Sequence, residues 1–104
     1  MKRVLLSAAL GLGLVTLAAP AFADLALATS KNCMSCHAVD RKVLGPAFKD
    51  VAAKYKGNAG AADMLAAKII KGGSGVWGPV PMPANNQVSE ADAKKLAAWV
   101  LTTR

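Results

Sequence analysis

The residues Cys33-Met34-Ser35-Cys36-His37 form the stretch around which the rest of the 104-residue chain is organised. Two cysteines separated by two residues and followed directly by a histidine are the pattern for covalent attachment of a c-type haem. At this spacing both thiols can reach the two vinyl groups of one haem, and the next residue lies beside the iron. The chain has a single histidine, so no other imidazole competes with His37 for the proximal position. The stretch predicts haem c bound through Cys33 and Cys36, with His37 as an iron ligand.

Other uses of such a cysteine pair conflict with the rest of the sequence. A disulfide or a thioredoxin-like dithiol is expected within a βαβ pattern, and no stretch alternates apolar and polar residues with β-branched enrichment. A structural zinc site needs four ligands, whereas the chain has only two cysteines and one histidine. Haem attachment is therefore the favoured interpretation, and a redox dithiol is the alternative.

The first 23 residues have the composition of a cleavable export signal. Two basic residues follow the first methionine, residues 4–19 are apolar, and residues 21–23 form an Ala-Phe-Ala cleavage site. The apolar run from 4 to 19 is 16 residues long, shorter than the roughly 20 that span a bilayer, so we expect no stable membrane insertion. We predict a signal peptide at 1–23, export to the periplasm and one mature domain at 24–104.

The predicted mature domain is small and basic. Removing 23 residues from 104 leaves 81, a length at which a side-chain core rarely gives enough stability without a staple. Both cysteines are committed to the haem, so we expect the chain to be largely unfolded without it. Removing Lys2 and Arg3 leaves 11 basic and 6 acidic residues, a net charge of +5. This charge favours an acidic protein partner, an anionic membrane surface or solubility alone, and an exported protein meets no nucleic acid in its normal work.

The spacing of apolar residues predicts an all-α domain. Apolar residues recur at i, i+3, i+4 and i+7 from Phe48 onward, which is one face of a helix. Ser89, followed by two acidic residues in the next turn, is typical of a helix N-cap. Four helices are predicted. The first lies at about 24–32 with Asp24 near its N-terminus, and the second is opened by Pro46 and stopped by Gly57. The third lies at about 61–71 and is ended by Gly72-Gly73, and the fourth follows Ser89 and carries a Trp99 that is only partly buried.

A long irregular stretch at 73–88 is expected to supply the second iron ligand. Loops of this length in a compact domain are usually functional or disordered, and three prolines within 79–83 oppose both a helix and free flexibility. Met82 lies between two of these prolines. The other methionines are less suitable, because the first leaves with the signal, Met34 lies inside the attachment turn, and Met64 lies on a predicted helix as core filler. We therefore predict Met82 as the sixth ligand, since methionine and histidine form a known haem pair.

Together these segments resemble the cytochrome c-551/c-552 group of small bacterial class I cytochromes c, over most of the predicted mature chain. The matching pieces are Cys33-Met34-Ser35-Cys36-His37, Gly45-Pro46, Asp50-Val51-Ala52-Ala53-Lys54, Gly75-Val76-Trp77-Gly78-Pro79 and Pro81-Met82-Pro83. The resemblance implies a cytochrome c fold in which four to five short helices wrap around one covalently bound haem. It also implies roles for four more residues. The carbonyl of Pro46 would accept a hydrogen bond from His37, Trp77 would donate to a haem propionate, Asn85 would steady the ligand sulfur, and Lys68 would lie near the propionates.

The resemblance implies a periplasmic electron carrier rather than an enzyme. The implied donor is a cytochrome bc complex, and the implied acceptor is a nitrite reductase, a peroxidase or a terminal oxidase, approached through an acidic patch on the partner. We expect a monomer, although no residue pattern decides the oligomeric state. The alternative from another class is a haem-based gas sensor or peroxidase whose sixth ligand is displaced. The prolines beside Met82 oppose that alternative.

Overall fold

A computed structural model of the chain describes residues 11, 13 and 20–104. The order of elements is α1 (Pro20–Ser30), a short 3₁₀ turn (Cys33–Ser35), α2 (Phe48–Lys54), α3 (Ala61–Lys71) and α4 (Glu90–Val100). Among the described residues the only extended pairing is two isolated β-bridges, which join His37 with Lys42 and Gly73 with Met82. The prediction of an all-α fold with four to five short helices is confirmed.

The first helix differs from its predicted bounds of 24–32 at both ends. Within the described residues it spans Pro20–Ser30. Asp24 therefore lies in the second turn and not near the N-terminus. Asn32 follows with a left-handed backbone (φ 68°). It leads into the turn at 33–37 that carries both cysteines, which we call the cysteine turn. Most of the predicted leader at 1–23 lies outside the described residues.

The second helix begins two residues later than predicted. Pro46 is not its first residue, because Ala47 is the N-cap with an extended backbone and Phe48 opens the helix. The N–H groups of Phe48 and Lys49 donate to the carbonyls of Ala38 and Val39, at 2.9 and 3.0 Å. The preceding loop thus satisfies these first-turn donors. The helix also ends at Lys54, before the predicted stop at Gly57.

The third and fourth helices match the sequence predictions. Helix α3 has the predicted bounds, with Gly72 as its C-cap. Its first turn carries Asp63 and its last turn carries two lysines, which complements the helix dipole. Helix α4 has Ser89 as its N-cap, and the Ser89 hydroxyl accepts a hydrogen bond from the backbone N–H of Asp92 at 3.1 Å.

Helix α4 is the centre of the packing, because each of the other three helices contacts it. Its inner face carries Ala93 and Ala97, both fully buried, and these small side chains let neighbouring helices approach closely. Trp99 is only 6% exposed, so the prediction of partial burial was wrong. Its ring meets Phe48 of α2 edge to face at 5.5 Å, an arrangement favoured by the charge distribution of aromatic rings. No helix within 20–104 is long and apolar enough to cross a membrane.

Candidate haem-binding site

One large cleft brings the predicted site residues together. Residues from the cysteine turn, from α2 and α3, and from the loop at 73–88 line it. All eight residues singled out from the sequence line this cleft: Cys33, Cys36, His37, Pro46, Lys68, Trp77, Met82 and Asn85. Apolar side chains such as Val51, Leu65 and Ile69 form much of the remaining wall. A flat apolar group with one polar edge suits such a cleft.

The cysteine turn presents two free thiols to the cleft. The N–H groups of Cys36 and His37 both donate to the carbonyl of Cys33, at 3.2 and 3.1 Å, which closes a tight turn. Both cysteines are half-buried and neither forms a disulfide. Burial raises the pKa of the Cys33 thiol above its ordinary value, and the nearby Cys36 adds to the effect. Free thiols on one turn beside a histidine are the donor set that covalent attachment of haem c requires.

A backbone carbonyl fixes the tautomer of His37. The Nδ1 atom lies 2.8 Å from the carbonyl oxygen of Pro46. A carbonyl only accepts hydrogen bonds, so Nδ1 must donate and therefore carries the proton. The lone pair is then on Nε2, the nitrogen that can bind a metal. The delayed start of α2 makes this possible, since the Pro46 carbonyl lies outside the helix and is available to the imidazole.

Packing holds the imidazole of His37 on two further sides. The buried ring of Phe48 stacks on it, with 4.8 Å between ring centroids and 22° between planes. Gly45 lies on another side, where a Cβ atom would meet the Cε1 atom of His37 at 2.5 Å and Nδ1 at 2.9 Å. Only a glycine leaves room for the ring at this position. One hydrogen bond and two packing contacts therefore orient the imidazole before any metal binds.

Replacing Gly45 with alanine is expected to reduce the yield of haem-loaded protein and to lower the free energy of unfolding by about 2 kcal/mol, within the usual range for overpacking. The added methyl would displace the imidazole of His37, which cannot retreat because Phe48 packs behind it. Denaturant unfolding and haem content measure both effects. Gly60→Ala is the matched control, because its Cβ would meet nothing closer than Asn58 Oδ1 at 3.6 Å. Equal behaviour of the two variants would contradict the clearance role of Gly45.

The loop at 73–88 holds Met82 by its backbone. The N–H of Met82 donates to the carbonyl of Gly73 at 2.8 Å, and the N–H of Gly73 donates to the carbonyl of Met82 at 3.0 Å. This reciprocal pair of hydrogen bonds holds the backbone of Met82 beside the end of α3. Met82 is half-buried and lines the cleft. It lies on a segment far in sequence from His37, so two separate elements each supply one potential iron ligand.

Asn85 stabilises the same loop through the end of α3. Its Nδ2 atom donates to the carbonyls of Ile69 at 2.8 Å and Pro83 at 3.4 Å. Its Oδ1 atom accepts from Gln87 Nε2 at 3.1 Å. No hydrogen bond within the described part of the chain joins Asn85 to the sulfur of Met82. The steadying of the ligand sulfur by Asn85 stays a prediction.

Trp77 and Lys68 lie at the edge of the cleft with the exposure that contact with haem propionates would need. Trp77 is 40% exposed, and the ammonium of Lys54 lies 5.5 Å from its ring centroid in a cation–π contact. The same ammonium lies 5.9 Å from the ring centroid of Tyr55. Lys68 is exposed on the last turn of α3. The predicted propionate contacts of Trp77 and Lys68 stay predictions.

An all-α domain with a Cys-x-x-Cys-His turn in an apolar cleft defines a c-type cytochrome. The family model for cytochrome c matches residues 25–104. The chain is 52% identical to cytochrome c-552 of Hydrogenobacter thermophilus over 104 residues, the full length of both chains. It is 64% identical to cytochrome c-551 of Azotobacter vinelandii over 73 residues, which cover 70% of this chain and 88% of the relative. The crystal structure of Nitrosomonas europaea cytochrome c552 superposes with a TM-score of 0.75 at 56% identity, covering 77% of this chain and 99% of that one.

The chain therefore belongs to the cytochrome c family, and within it to the small c-551/c-552 type. Members of this family carry covalently bound haem c and act as electron carriers rather than enzymes. This confirms the predicted cofactor and the predicted class of function.

Three residues have roles at the site that their sequence positions did not predict. Gly45 and Gly72 are needed as glycines because other groups approach their backbones closely, and Phe48 orients the imidazole. For the two glycines the sequence contains weak signals, because Gly45 precedes Pro46 and Gly72 follows a helix of the predicted length. Neither signal says which atoms approach, since those atoms belong to residues distant along the chain.

Proposed function

We propose that this cytochrome carries single electrons between respiratory proteins in the periplasm, on a haem whose iron is bound by His37 and Met82. The observation that carries the proposal is that both side chains line one cleft while backbone hydrogen bonds hold each residue in place. The thiols of Cys33 and Cys36 are proposed as the attachment points of the haem. When bound, the haem supplies a one-electron ferric–ferrous couple.

The residues proposed as ligands suit electron transfer because the protein holds them firmly. The Pro46 carbonyl and the Phe48 ring fix His37, and the Gly73 backbone fixes Met82. Ligands that stay in place in both oxidation states leave little to reorganise when the electron moves. A methionine ligand and burial in an apolar cleft both favour ferrous iron and so raise the reduction potential.

Binding of carbon monoxide tests whether Met82 occupies the sixth coordination position of the iron, as proposed. With His37 and Met82 bound, the ferrous protein is expected to keep the same visible spectrum when carbon monoxide is added at neutral pH. The oxidised and reduced spectra should interconvert reversibly with one electron per chain in a redox titration. Rapid carbon monoxide binding would instead indicate a gas sensor or a peroxidase-type protein, the alternative function.

We propose export and cleavage after residue 23. The support is the basic start, the apolar run and the Ala-Phe-Ala sequence of the leader. The family match also begins at residue 25, next to the proposed cleavage site. Mass spectrometry of the protein from a periplasmic extract should give a chain that begins at Asp24. Recovery of the full chain from the membrane fraction would contradict this proposal.

We propose that the redox partners present acidic surfaces, with a cytochrome bc complex as donor and a nitrite reductase, peroxidase or terminal oxidase as acceptor, and that the cytochrome is a monomer. The support is the net charge of +5 left after leader removal. We expect lysines to surround the haem edge, and Lys49, Lys68 and Lys71 are exposed. Lys31 instead pairs with Asp92 at 3.9 Å.

Electron exchange with an acidic redox protein should slow by roughly tenfold or more between low salt and physiological salt, because screening shortens the range of attraction from about 30 to about 8 Å. Stopped-flow rates measure this effect. Lys68→Gln should lower the low-salt rate more than Lys94→Gln, because Lys68 lines the cleft whereas Lys94 pairs with Glu90 at 3.8 Å on α4. Exchange rates that do not change with salt concentration would mean that the charge serves solubility alone.

Sedimentation of the purified protein tests whether it is a monomer.

A further inference from the structure

The end of α3 is bonded to the loop that carries Met82. The last carbonyls of any helix lack partners within the helix. Here the backbone N–H of Asn85 donates to the carbonyls of Ile69 and Ile70, at 3.3 and 3.1 Å. The Asn85 side chain donates a second hydrogen bond to Ile69 at 2.8 Å. The loop therefore serves as the C-terminal cap of α3, and α3 in turn anchors the loop.

Gly72 is the residue where the two segments come closest. Its N–H donates to the carbonyl of Lys68 at 2.8 Å, which completes the helix. Its backbone then turns at φ 73° and ψ −173°, a combination that essentially only glycine adopts. This turn directs Gly73 into its reciprocal hydrogen bonds with Met82.

The loop backbone leaves no room for a side chain at Gly72. A Cβ atom there would collide with the carbonyl oxygen of Met82. It would also lie 2.9 Å from the backbone N of Ala84 and 2.9 Å from the carbonyl carbon of Pro83. These are backbone atoms, so no side-chain rotation relieves the contact. A residue other than glycine must push the loop that contains Met82 away from α3.

We propose that Gly72 is a positioning residue for Met82, and that the end of α3 is the template that keeps the methionine sulfur on the iron. This inference rests on the proposed function, because it takes Met82 as the sixth ligand. Gly72 itself does not line the cleft. It acts through the backbone of residues 82–84, which it allows to lie directly against the helix end.

The test compares two glycine-to-alanine variants of the haem-loaded protein. Gly72→Ala adds a collision with the loop backbone. Gly57→Ala shares the positive φ, at 78°, but its Cβ would meet nothing within 4 Å. The readouts are the rate of carbon monoxide binding to the ferrous protein and the reduction potential, which a purely structural role would leave unchanged.

Gly72→Ala should bind carbon monoxide at least about tenfold faster than Gly57→Ala, because a tenfold larger open population raises the rate tenfold. Its reduction potential should also fall, whereas Gly57→Ala keeps the potential of the unmutated protein. Equal rates and potentials in Gly72→Ala and Gly57→Ala would overturn the positioning role. Rapid binding by the unmutated protein would instead overturn the proposed function itself, so the two failures are distinct.

A measurement on the unmutated protein covers the case in which Gly72→Ala does not fold. The amide protons of Gly73 and Met82 bond to the facing carbonyls, so both should be protected from hydrogen exchange. Their exchange and the slow binding of carbon monoxide should require the same opening and show the same temperature dependence. Rapid exchange of both amides while the iron stays closed to carbon monoxide would overturn the template role of α3.

Discussion

The variant Met82→Ala should bind carbon monoxide at least about a hundredfold faster than the unmutated cytochrome, because it converts a rarely open sixth position into one that is always open. An alanine methyl cannot bind iron, and no other described side chain in the loop at 73–88 carries a thioether. Loss of the thioether should also lower the reduction potential by on the order of 0.1 V, a fraction of the roughly 0.8 V range that axial ligands cover. Stopped-flow mixing and a redox titration measure the two effects.

Met64→Ala is the matched control for this experiment. Met64 also lines the cleft and is half-buried, but it lies on α3. Its truncation should lower the free energy of unfolding by about 2 kcal/mol through lost packing. It should leave carbon monoxide binding slow and the potential almost unchanged. If Met64→Ala opened the iron and Met82→Ala did not, the assignment of the sixth ligand would move to α3.

The double variant Cys33→Ala/Cys36→Ala is expected to yield almost no folded cytochrome and no covalently bound haem. The side chains alone form a thin core, in which Leu96 is the one large side chain that is completely buried among the described residues. Three core positions on α1 and α4 are fully buried alanines, which contribute little apolar area. A domain of about 80 residues with such a core needs the haem to complete it.

Haem-stained denaturing gels and periplasmic yield measure this loss. Ser35→Ala is the control, since Ser35 lies in the same turn and its hydroxyl donates to Asn32 Oδ1 at 2.5 Å, yet it carries no thiol. This control should keep haem colour on its band and a near-normal yield. A coloured band from the double variant would show that the two thiols are not the attachment points.

Local sequence features determined much of this protein. The Cys-x-x-Cys-His spacing predicts the cofactor and points to His37 as the proposed iron ligand, within one turn of chain. The bounds of α3 and the cap at Ser89 also followed from the sequence, because dipole, capping and termination act between residues a few positions apart. The stiff prolines beside Met82 pointed to the loop that carries the proposed ligand.

Only the tertiary structure decided the features that depend on backbone groups distant along the chain. Helix α2 begins at Phe48 because its first N–H groups donate to Ala38 and Val39, which leaves the Pro46 carbonyl for the imidazole. Trp99 is buried because Phe48 packs against it. The need for glycine at Gly72 arises from the backbone at 82–84. No local pattern encodes these approaches, because each depends on where two separate segments meet once the core has formed.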